Sequence, residues 1–326
     1  MKLSVVVICL NEELHLPRCL GAINGLDHAG LELELIVVDG GSTDRSVALA
    51  EEHGAHVVHS PRGIPRQRNA GGRAASGEVL AYVDADVELQ AGWFDAVARH
   101  FGRSTGLVLG APPRLPPGAS WVARAYALHW GAPADDAESQ QPSDDPRLLS
   151  TQSLVLGREI FERTGGFSEE LRVDEDTFLI LAAQQLGFAV ICDPGLRYLH
   201  HGEPRTLADF FRRVAWGANY EQWFKAIRRL DLAQARRPQY VYGAVVGAEV
   251  ACLGLSLAAP LGGWQVGVPG SLLALGLTFG LPALRTAGRH AAYDRIGALA
   301  LMYGAYGLAT ASALLGVGRD KLRRWR

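Results

Sequence analysis

Short runs of β-branched and aliphatic residues alternate with helical stretches from residue 3 to residue 192. Runs of this kind predict strands at residues 3–9, 33–38, 55–59, 79–83, 107–110 and 188–192, and regular structure is also expected at residues 150–157. Because they lack polar alternation, they are typical of strands that are buried on both faces. Helical stretches between successive strands make βαβ units. We therefore expect an α/β fold with a mostly parallel sheet.

One of these runs, Leu80–Val83, ends at two carboxylates separated by a single small residue, Asp84-Ala85-Asp86. Ligands of open α/β sheets bind at the carboxyl ends of the strands. Two carboxylates at that edge suit a divalent cation, Mg²⁺ or Mn²⁺, because hard cations prefer oxygen ligands and share them with phosphates. On this pattern alone, solvated acids capping the end of a strand are an equal alternative.

The composition excludes several classes of protein. A formal net charge of −2 gives no indication of nucleic-acid binding. The cysteines lie far apart without a Cys-x-x-Cys spacing, at Cys9, Cys19, Cys192 and Cys252. Neither a zinc site nor a disulfide framework is therefore predicted, which fits a reducing cytoplasm. From about Tyr240 onward acids become rare and apolar residues dominate, which predicts a membrane part after a soluble one.

Further polar motifs follow the predicted strands in order. They are Asn11-Glu12-Glu13, Asp39-Gly40-Gly41-Ser42-Thr43-Asp44, Arg68-Asn69-Ala70-Gly71, Asp84-Ala85-Asp86, Gly165-Gly166-Phe167 and Glu175-Asp176. In this order and spacing the set resembles the family 2 glycosyltransferases, over about residues 3–220. The resemblance implies a GT-A fold, a nucleotide-sugar donor, a divalent metal and an inverting transfer.

The resemblance also implies which residues hold the donor. Asp39 would contact the nucleobase, and Asn11 and Glu12 would line the same pocket. Arg68 would reach the diphosphate, because a guanidinium matches the geometry of phosphate. Structural alternatives remain for two of them: Asp39 can cap a turn, and Arg68 can form an ion pair on a helix face.

For the metal, the resemblance implies Asp86 as a ligand and Asp84 as a contact to both ribose and metal. His200 and His201 follow a strand-like stretch, and many family members have a histidine near this point as a further ligand. The sequence does not decide which of the two serves, and a structural histidine is the alternative. The cation would neutralise the charge that builds on the departing diphosphate.

Inverting transfer is a one-step displacement, so a carboxylate must remove the acceptor's proton on the face opposite the leaving group. The resemblance assigns this role to Asp176, with Glu175 positioning the acceptor or the base. Asp174 is a nearby competitor. Acids at a helix N-terminus are also expected from the helix dipole alone, which is the structural alternative.

Aromatic and basic side chains are mixed in residues 206–238, which is typical of a helix lying at a membrane surface. The segment from Arg212 to Trp216 weakly resembles the Arg-x-x-Arg-Trp motif of processive family members and implies Arg213 as a diphosphate contact. The Gln-Gln pair that normally precedes this motif is absent, so synthesis of a polymer is not expected.

Residues 239–326 are predicted to form two or three transmembrane helices and a basic tail. The apolar segments are Tyr240–Ala259, Trp264–Leu284 and Ile296–Val317, each roughly as long as a spanning helix. Basic residues before the first segment place the catalytic domain, residues 1–205, on the cytoplasmic side. Three full spans would put the basic tail outside, against the same rule, so the crossing of the third is undecided.

These expectations combine into a membrane-anchored, multi-pass hexosyltransferase whose active site faces the cytoplasm. It would move a sugar from a nucleotide sugar to a lipid-linked or membrane-proximal acceptor, as in the building of cell-envelope glycans. A nucleotidyltransferase of related fold would need a Gly-rich, basic N-terminal signature, which Cys9-Leu10-Asn11-Glu12 does not provide. A non-catalytic membrane scaffold is disfavoured because the acids at 39, 84, 86 and 176 are all present.

Overall fold

A computed structural model describes residues 1–129, 149–171, 174–217, 245–251, 263–289 and 295–314. The chain divides into two compact units. The first is Met1–Pro117 with Trp130–Glu203, and the second is Gly118–His129 with Pro204–Arg326. Within the described residues every strand belongs to the first unit.

Seven strands form the main sheet of the first unit. They are β1 (Lys2–Cys9), β2 (Glu32–Asp39), β3 (His56–His59), β4 (Val79–Asp84), β6 (Leu107–Gly110), β7 (Ser153–Gly157) and β8 (Ala189–Cys192). Their order is β3-β2-β1-β4-β7-β6-β8. Strand β7 runs antiparallel to both of its neighbours, and the other pairs are parallel. The prediction of a mostly parallel α/β sheet is confirmed.

A second, two-stranded sheet pairs β5 (Val87–Leu89) antiparallel with β9 (Tyr198–His200). In register, Val87 lies opposite His200 and Leu89 lies opposite Tyr198. Strand β5 begins directly after the Asp84-Ala85-Asp86 turn. This small sheet therefore brings the segment around His200 back to the end of β4.

Helices cover both faces of the main sheet. They are α1 (Leu16–Gly25), α2 (Ser46–Glu52), α3 (Ile64–Ala74), α4 (Trp93–Phe101), α6 (Arg158–Thr164) and α7 (Glu175–Gln185). Alternate residues of a strand point to opposite faces, so Val5 and Val7 join one apolar core and Val6 joins the other. Both cores are buried, as expected for continuous apolar strands.

Helix α3 packs closely on the sheet because a glycine faces it. A Cβ atom at Gly71 would lie 2.2 Å from Val6 Cγ1, a distance that no side chain tolerates. Pro65 occupies the first turn of the helix, where its missing N–H costs nothing. The first half of α3, which carries Gln67 and Arg68, thus lies over the carboxyl ends of β1 and β2.

The described part of the second unit is helical. It contains α5 (Trp121–His129), α8 (Leu207–Gly217), a helical stretch at residues 245–251, α9 (Gly263–Arg289) and α10 (Ile296–Leu314). Phe210 of α8 is fully buried, with Tyr126 of α5 against it at 5.2 Å between ring centroids. Ser120 Oγ donates a hydrogen bond to the Pro204 carbonyl oxygen at 3.2 Å.

The described helices do not support the predicted transmembrane segments. Among the helices that the structure describes, none combines the length and the apolar character needed to cross a bilayer. The prediction of spans at Trp264–Leu284 and Ile296–Val317 is therefore not supported by α9 and α10. The first predicted span, Tyr240–Ala259, lies mostly outside the described residues, as does most of the basic, aromatic segment after Gly217.

Candidate active site

Three neighbouring strands end side by side at one edge of the main sheet. In register, Cys9 of β1 lies beside Asp39 of β2, and Ile8 lies beside Asp84 of β4. The two aspartates therefore flank the end of β1. This is the edge at which ligands of open α/β sheets bind, and it collects most of the predicted site residues.

Asp39 is held by the turn that follows it. Its carboxylate accepts hydrogen bonds from the backbone N–H groups of Gly41 and Ser42, at 3.0 Å each, and His59 Nδ1 lies 3.4 Å away. Burial favours the neutral acid, but these hydrogen bonds outweigh it and hold the pKa of Asp39 below its ordinary value. The side chain is thus a fixed carboxylate at the end of β2.

Asn11 and Glu12 begin the loop after β1. Asn11 has a φ of 58°, which asparagine tolerates better than most residues, and its Oδ1 accepts a hydrogen bond from Thr43 N–H at 2.8 Å. The amide therefore ties this loop to the loop after β2. Burial, and then the charges of Asp86 and Asp84, raise the pKa of Glu12 to about 7.

Asp44 has a structural role in the same region. Its carboxylate accepts hydrogen bonds from the N–H and hydroxyl of Ser46 at 2.9 and 2.6 Å, and from the Glu13 N–H at 3.1 Å. It therefore caps the start of α2 and fastens the two loops together. All of these contacts stabilise the local fold.

Arg68 lies between two parts of the site. Its Nη2 donates to Asp84 Oδ1 at 2.8 Å, and its Nη1 donates to Glu175 Oε1. The side chain is buried, and its guanidinium lies 5.7 Å from the centroid of the Phe167 ring. The predicted contact with the donor's diphosphate stays a prediction, because here the guanidinium joins the end of β4 to the start of α7.

The two carboxylates that Arg68 joins are unusually basic. Burial raises the pKa of Glu175 to about 8, with Arg68 opposing the shift and Asp176 adding to it. Burial also raises the pKa of Asp84, again against the effect of Arg68 and with a contribution from Asp86. The site thus concentrates negative charge that a single arginine does not fully compensate, which is a property of functional sites.

The end of β4 meets the end of β9 at Asp86 and His200. His200 Nε2 lies 3.2 Å from Asp86 Oδ2, and its Nδ1 lies 2.7 Å from Glu203 Oε1. Burial alone would lower the pKa of His200, but hydrogen bonds with Asp86 and Glu203 raise it to about 10. The imidazole is therefore charged in this arrangement, and binding a metal through Nε2 would replace a proton.

His201 points elsewhere. Its Nε2 lies 2.8 Å from Glu88 Oε2 of β5, and its backbone N–H donates to the Asp86 carbonyl oxygen at 2.9 Å. Successive residues of a strand project to opposite sides. Of the two histidines left open by the sequence, His200 is therefore the one whose side chain contacts the Asp86 carboxylate.

The donor set at this point fits a hard divalent cation. Carboxylate oxygens and an imidazole nitrogen are ligands that Mn²⁺ accepts, and Mg²⁺ commonly takes one or two carboxylates and completes its coordination with water and substrate phosphates. No group of three or more described His, Cys, Asp or Glu side chains is arranged as a complete metal site. Asp86 and His200 are thus the two side chains here that could hold such a cation together with a bound diphosphate.

Asp176 is fixed at the start of α7. Its Oδ2 accepts hydrogen bonds from the N–H and hydroxyl of Thr151 at 3.2 and 3.3 Å, and its Oδ1 accepts one from the Thr177 N–H at 2.7 Å. Asp174, its competitor, precedes the helix with a φ of 68°. Both acids are partly exposed, whereas Glu175 between them is buried against Arg68.

Asn69 positions the Gly-Gly-Phe turn. This residue lies within one of the sequence motifs, but no role was predicted for it. Its Nδ2 donates to the Phe167 carbonyl oxygen and its Oδ1 accepts from the Phe167 N–H, both at 2.8 Å. Gly166 has a φ of 78°, and a Cβ there would lie 2.5 Å from Asn69 Oδ1. The turn that leads to Glu175 and Asp176 is therefore anchored beside Arg68.

Three more residues of the site, Gln67, Thr151 and Gly202, were not predicted from the sequence. Gln67 Nε2 donates to the Cys9 and Val38 carbonyl oxygens at 2.8 and 3.1 Å, which joins the ends of β1 and β2. Thr151 holds Asp176. A Cβ at Gly202 would lie 1.8 Å from Asp86 Oδ2, so only glycine leaves that carboxylate room. The sequence His200-His201-Gly202 could have indicated the last of these.

Arg213 belongs to α8 of the second unit. Its guanidinium lies 5.8 Å from the centroid of the Tyr126 ring. A cation over an aromatic face is a stabilising contact in its own right. The role of this arginine at the diphosphate stays a prediction.

The sequence is similar to those of known glycosyltransferases. Residues 4–164 match the sequence model of the family described as glycosyl transferase family 2. An uncharacterized glycosyltransferase of Mycobacterium tuberculosis is 33% identical over 179 residues, which cover 52% of this chain and 77% of the relative.

Solved structures agree in fold. A mannosyltransferase from Pyrobaculum calidifontis, in complex with GDP-Man and Mn²⁺, superposes with a TM-score of 0.60 at 20% identity, covering 98% of this chain and 87% of that one. A fragment of S. aureus TarS in complex with UDP-GlcNAc gives a TM-score of 0.51 at 19% identity, covering 97% and 92%. These likenesses identify the GT-A fold. By its sequence and its fold, the chain belongs to the family 2 glycosyltransferases and is a glycosyltransferase.

Proposed function

We propose that this glycosyltransferase moves a sugar from a nucleotide-sugar donor to a lipid-linked or membrane-proximal acceptor, with inversion at the anomeric carbon. The observation that carries the proposal is the Arg68 bridge. A single buried guanidinium joins Asp84, at the predicted donor side, to Glu175, next to the predicted base. The predicted donor and acceptor residues are thus parts of one connected site.

On the donor side, Asp39, Asn11 and Glu12 line the end of β1 and β2, where the nucleobase and ribose would lie. Asp39 is a fixed carboxylate and can accept hydrogen bonds from a base or a ribose hydroxyl. The similar mannosyltransferase was solved with GDP-Man and the TarS fragment with UDP-GlcNAc, which supports a nucleotide-sugar donor here.

Asp86 and His200 would hold a divalent cation, Mg²⁺ or Mn²⁺, with Asp84 beside it. When bound, the cation would neutralise charge on the leaving diphosphate. Asp86 supplies an oxygen ligand, and His200 supplies a nitrogen once its Nε2 proton has left. The Mn²⁺ in the similar mannosyltransferase supports this assignment.

On the acceptor side, Asp176 would act as general base. The acceptor oxygen attacks the anomeric carbon as the bond to the diphosphate oxygen breaks, and the hydroxyl proton passes to Asp176. Thr151 and the Thr177 N–H hold the carboxylate in one orientation, as a base that acts on a positioned hydroxyl requires. Attack opposite the leaving group inverts the configuration.

A location at the cytoplasmic face of a membrane is also part of the proposal. It is supported by the aromatic and basic sequence of residues 206–238 and by the scarcity of acids that follows. An acceptor confined to the bilayer surface would then lie near the active site. Lipid-linked acceptors have this property.

The decisive experiment presents the purified full chain, in the presence of membrane lipid extract, with a panel of radiolabelled nucleotide sugars. We expect one donor to label a lipid-extractable product, with the label lost in chelator and restored by Mn²⁺ or Mg²⁺. Nuclear magnetic resonance of the product should show the anomeric configuration opposite to that of the donor. Full activity in chelator would remove the metal from the proposal, and retention of configuration would remove the direct displacement.

A further inference from the structure

Helix α9 has a row of leucines on its outer face. Leu273, Leu277, Leu281 and Leu284 are 67%, 52%, 49% and 49% exposed. Their spacing of four, four and three residues places them on one side of an α-helix. We call these four residues the leucine face. Scattered surface leucines need no explanation, but a contiguous apolar row on one helix does.

The leucine face is not the side that α9 uses to pack within the second unit. Ala283 is fully buried, and Thr286 Oγ1 lies 2.8 Å from the hydroxyl of Tyr303 on α10. Thr278 Oγ1 donates to Glu249 at 2.7 Å. Thr286 thus faces α10, and Thr278 faces the helical stretch at residues 245–251.

The sequence of the second unit is rich in basic residues. Helix α9 contains no acid, and its only charged residues are Arg285 and Arg289, at its C-terminal end. Over residues 204–326 the sequence holds sixteen of the chain's 32 lysines and arginines but only six of its 34 acids. The remainder of the chain is correspondingly acidic. A basic unit with an exposed apolar face matches an anionic lipid surface in both respects.

We propose that the leucine face of α9 binds the surface of an anionic lipid bilayer, lying in the interface with Arg285 at the level of the phosphate headgroups. Apolar side chains gain from entering the acyl boundary, and arginines gain from the negative surface potential. This inference rests on the proposed function, in which the acceptor lies at a membrane. The lipid contact would bring the enzyme to that acceptor.

The first test is flotation of the full chain with vesicles, without donor or acceptor. We expect the protein to float with an equal mixture of phosphatidylglycerol and phosphatidylcholine, and much less with phosphatidylcholine alone. The variant Leu273→Ser/Leu277→Ser/Leu281→Ser should lose about tenfold or more in affinity, since each serine removes buried apolar area. The control Leu14→Ser/Leu186→Ser removes exposed leucines of the first unit, where Leu14 is 82% exposed, and should float as the parent does.

A second measurement keeps the proposal falsifiable if the serine variant folds poorly. An environment-sensitive fluorophore is attached to Leu277→Cys or to Leu14→Cys, and the parent, labelled in parallel, gives the background from its own cysteines. We expect anionic vesicles to shift the emission of the 277 label to shorter wavelength and to leave the 14 label unchanged. Equal responses at the two positions would overturn the proposal.

Failure of this inference can be told apart from failure of the proposed transfer. Absence of flotation, or flotation unchanged by the serine substitutions, overturns lipid binding by the leucine face even if transfer to a soluble acceptor proceeds. A concentration-dependent dimer that the serine variant abolishes would assign the face to a second copy of the chain and likewise overturn it. Flotation without any transfer would instead count against the transferase proposal alone.

Discussion

Glutamates at the two edges of the main sheet have pKa values shifted in opposite directions. At the amino edge, Glu34 accepts hydrogen bonds from the hydroxyl of Ser4 and from the N–H and hydroxyl of Ser76, and Lys2 Nζ lies 3.6 Å away. Burial opposes its charge, but these contacts outweigh burial and lower the pKa of Glu34 to about 2. At the carboxyl edge, burial and neighbouring acids raise the pKa of Glu12 to about 7 and that of Glu175 to about 8.

We interpret the difference as one between an acid that stabilises the fold and acids that we propose to serve the reaction. Glu34 has its partners within the chain and needs nothing further. Asp84 and Glu175 share one arginine, and Glu12 is affected by the charges of Asp84 and Asp86. The charge that the arginine does not compensate would be neutralised by a proton or by a bound ligand. Clusters of this kind reduce stability, so a chain retains them where they bind or catalyse. The comparison predicts that substitutions at the carboxyl edge change activity more than stability, except at the arginine.

The largest effect is expected at Asp176. We predict that Asp176→Asn lowers the rate of transfer by about a thousandfold, because it removes the proton acceptor. Donor binding, measured by calorimetry, should change little. Asp174→Asn is the matched control, an acid of similar exposure two residues away, and should retain most activity. If the Asp174 variant loses activity and the Asp176 variant does not, the base is Asp174.

Among the residues at the carboxyl edge, Arg68 is the one whose substitution should also reduce the stability of the fold. Arg68→Met keeps most of the side chain's bulk but leaves the buried Glu175 and the half-buried Asp84 without their cation. We expect the free energy of unfolding to fall by about 3 kcal/mol, measured by urea unfolding. Arg66→Met, on the same helix, removes an exposed arginine whose Nε lies 3.5 Å from Glu169 Oε2 and should change stability by about 0.5 kcal/mol or less.

A second substitution makes the Arg68 result specific. In Arg68→Met/Glu175→Gln one of the stranded charges is gone, so part of the lost stability should return. The non-additivity of the double variant measures the interaction between the two side chains. Strictly additive losses would mean that Arg68 supports the fold through packing against Phe167 and not through charge.

The stabilising role of Glu34, at the amino edge, can be tested in the same way. Its pKa is lowered by folding, so its charge contributes stability above the pKa of the unfolded chain, and that contribution is lost as the pH falls toward about 2. We expect Glu34→Gln to cost about 1–2 kcal/mol at pH 7, after allowance for solvent screening of a partly exposed group. The difference from the parent should disappear in unfolding measured near pH 2. Transfer should be unchanged at pH 7.

Much of the fold could be predicted from the sequence because its signals are local. Strands β1, β2, β4 and β6 are continuous apolar runs, and their ends place Asp39 and Asp84 at one edge before any contact is known. Strands β5 and β9 were not predicted as a pair, because three-residue strands are too short to show periodicity.

The parts of the site that escaped prediction depend on distant partners. Arg68 and Glu175 are 107 residues apart, and nothing near either residue indicates the other. The choice between His200 and His201 is set by the pairing of β9 with β5, which decides which side chain faces Asp86. Two of the three predicted apolar segments, Trp264–Leu284 and Ile296–Val317, overlap the helices α9 and α10. Apolar content over a window does not decide whether such a helix crosses a bilayer.

The smallest predicted effect lies between the two edges, in β4 itself. Tyr82 is fully buried, and among the described residues its hydroxyl has no hydrogen-bond partner. A buried hydroxyl without a partner costs free energy, so we expect Tyr82→Phe to raise the free energy of unfolding by about 1 kcal/mol. Tyr198 is the matched control: it is equally buried, but its hydroxyl donates to the Ala111 carbonyl oxygen at 2.9 Å. Tyr198→Phe should therefore shift stability in the opposite direction, and a loss in both variants would show that Tyr82 also has a partner, such as a buried water.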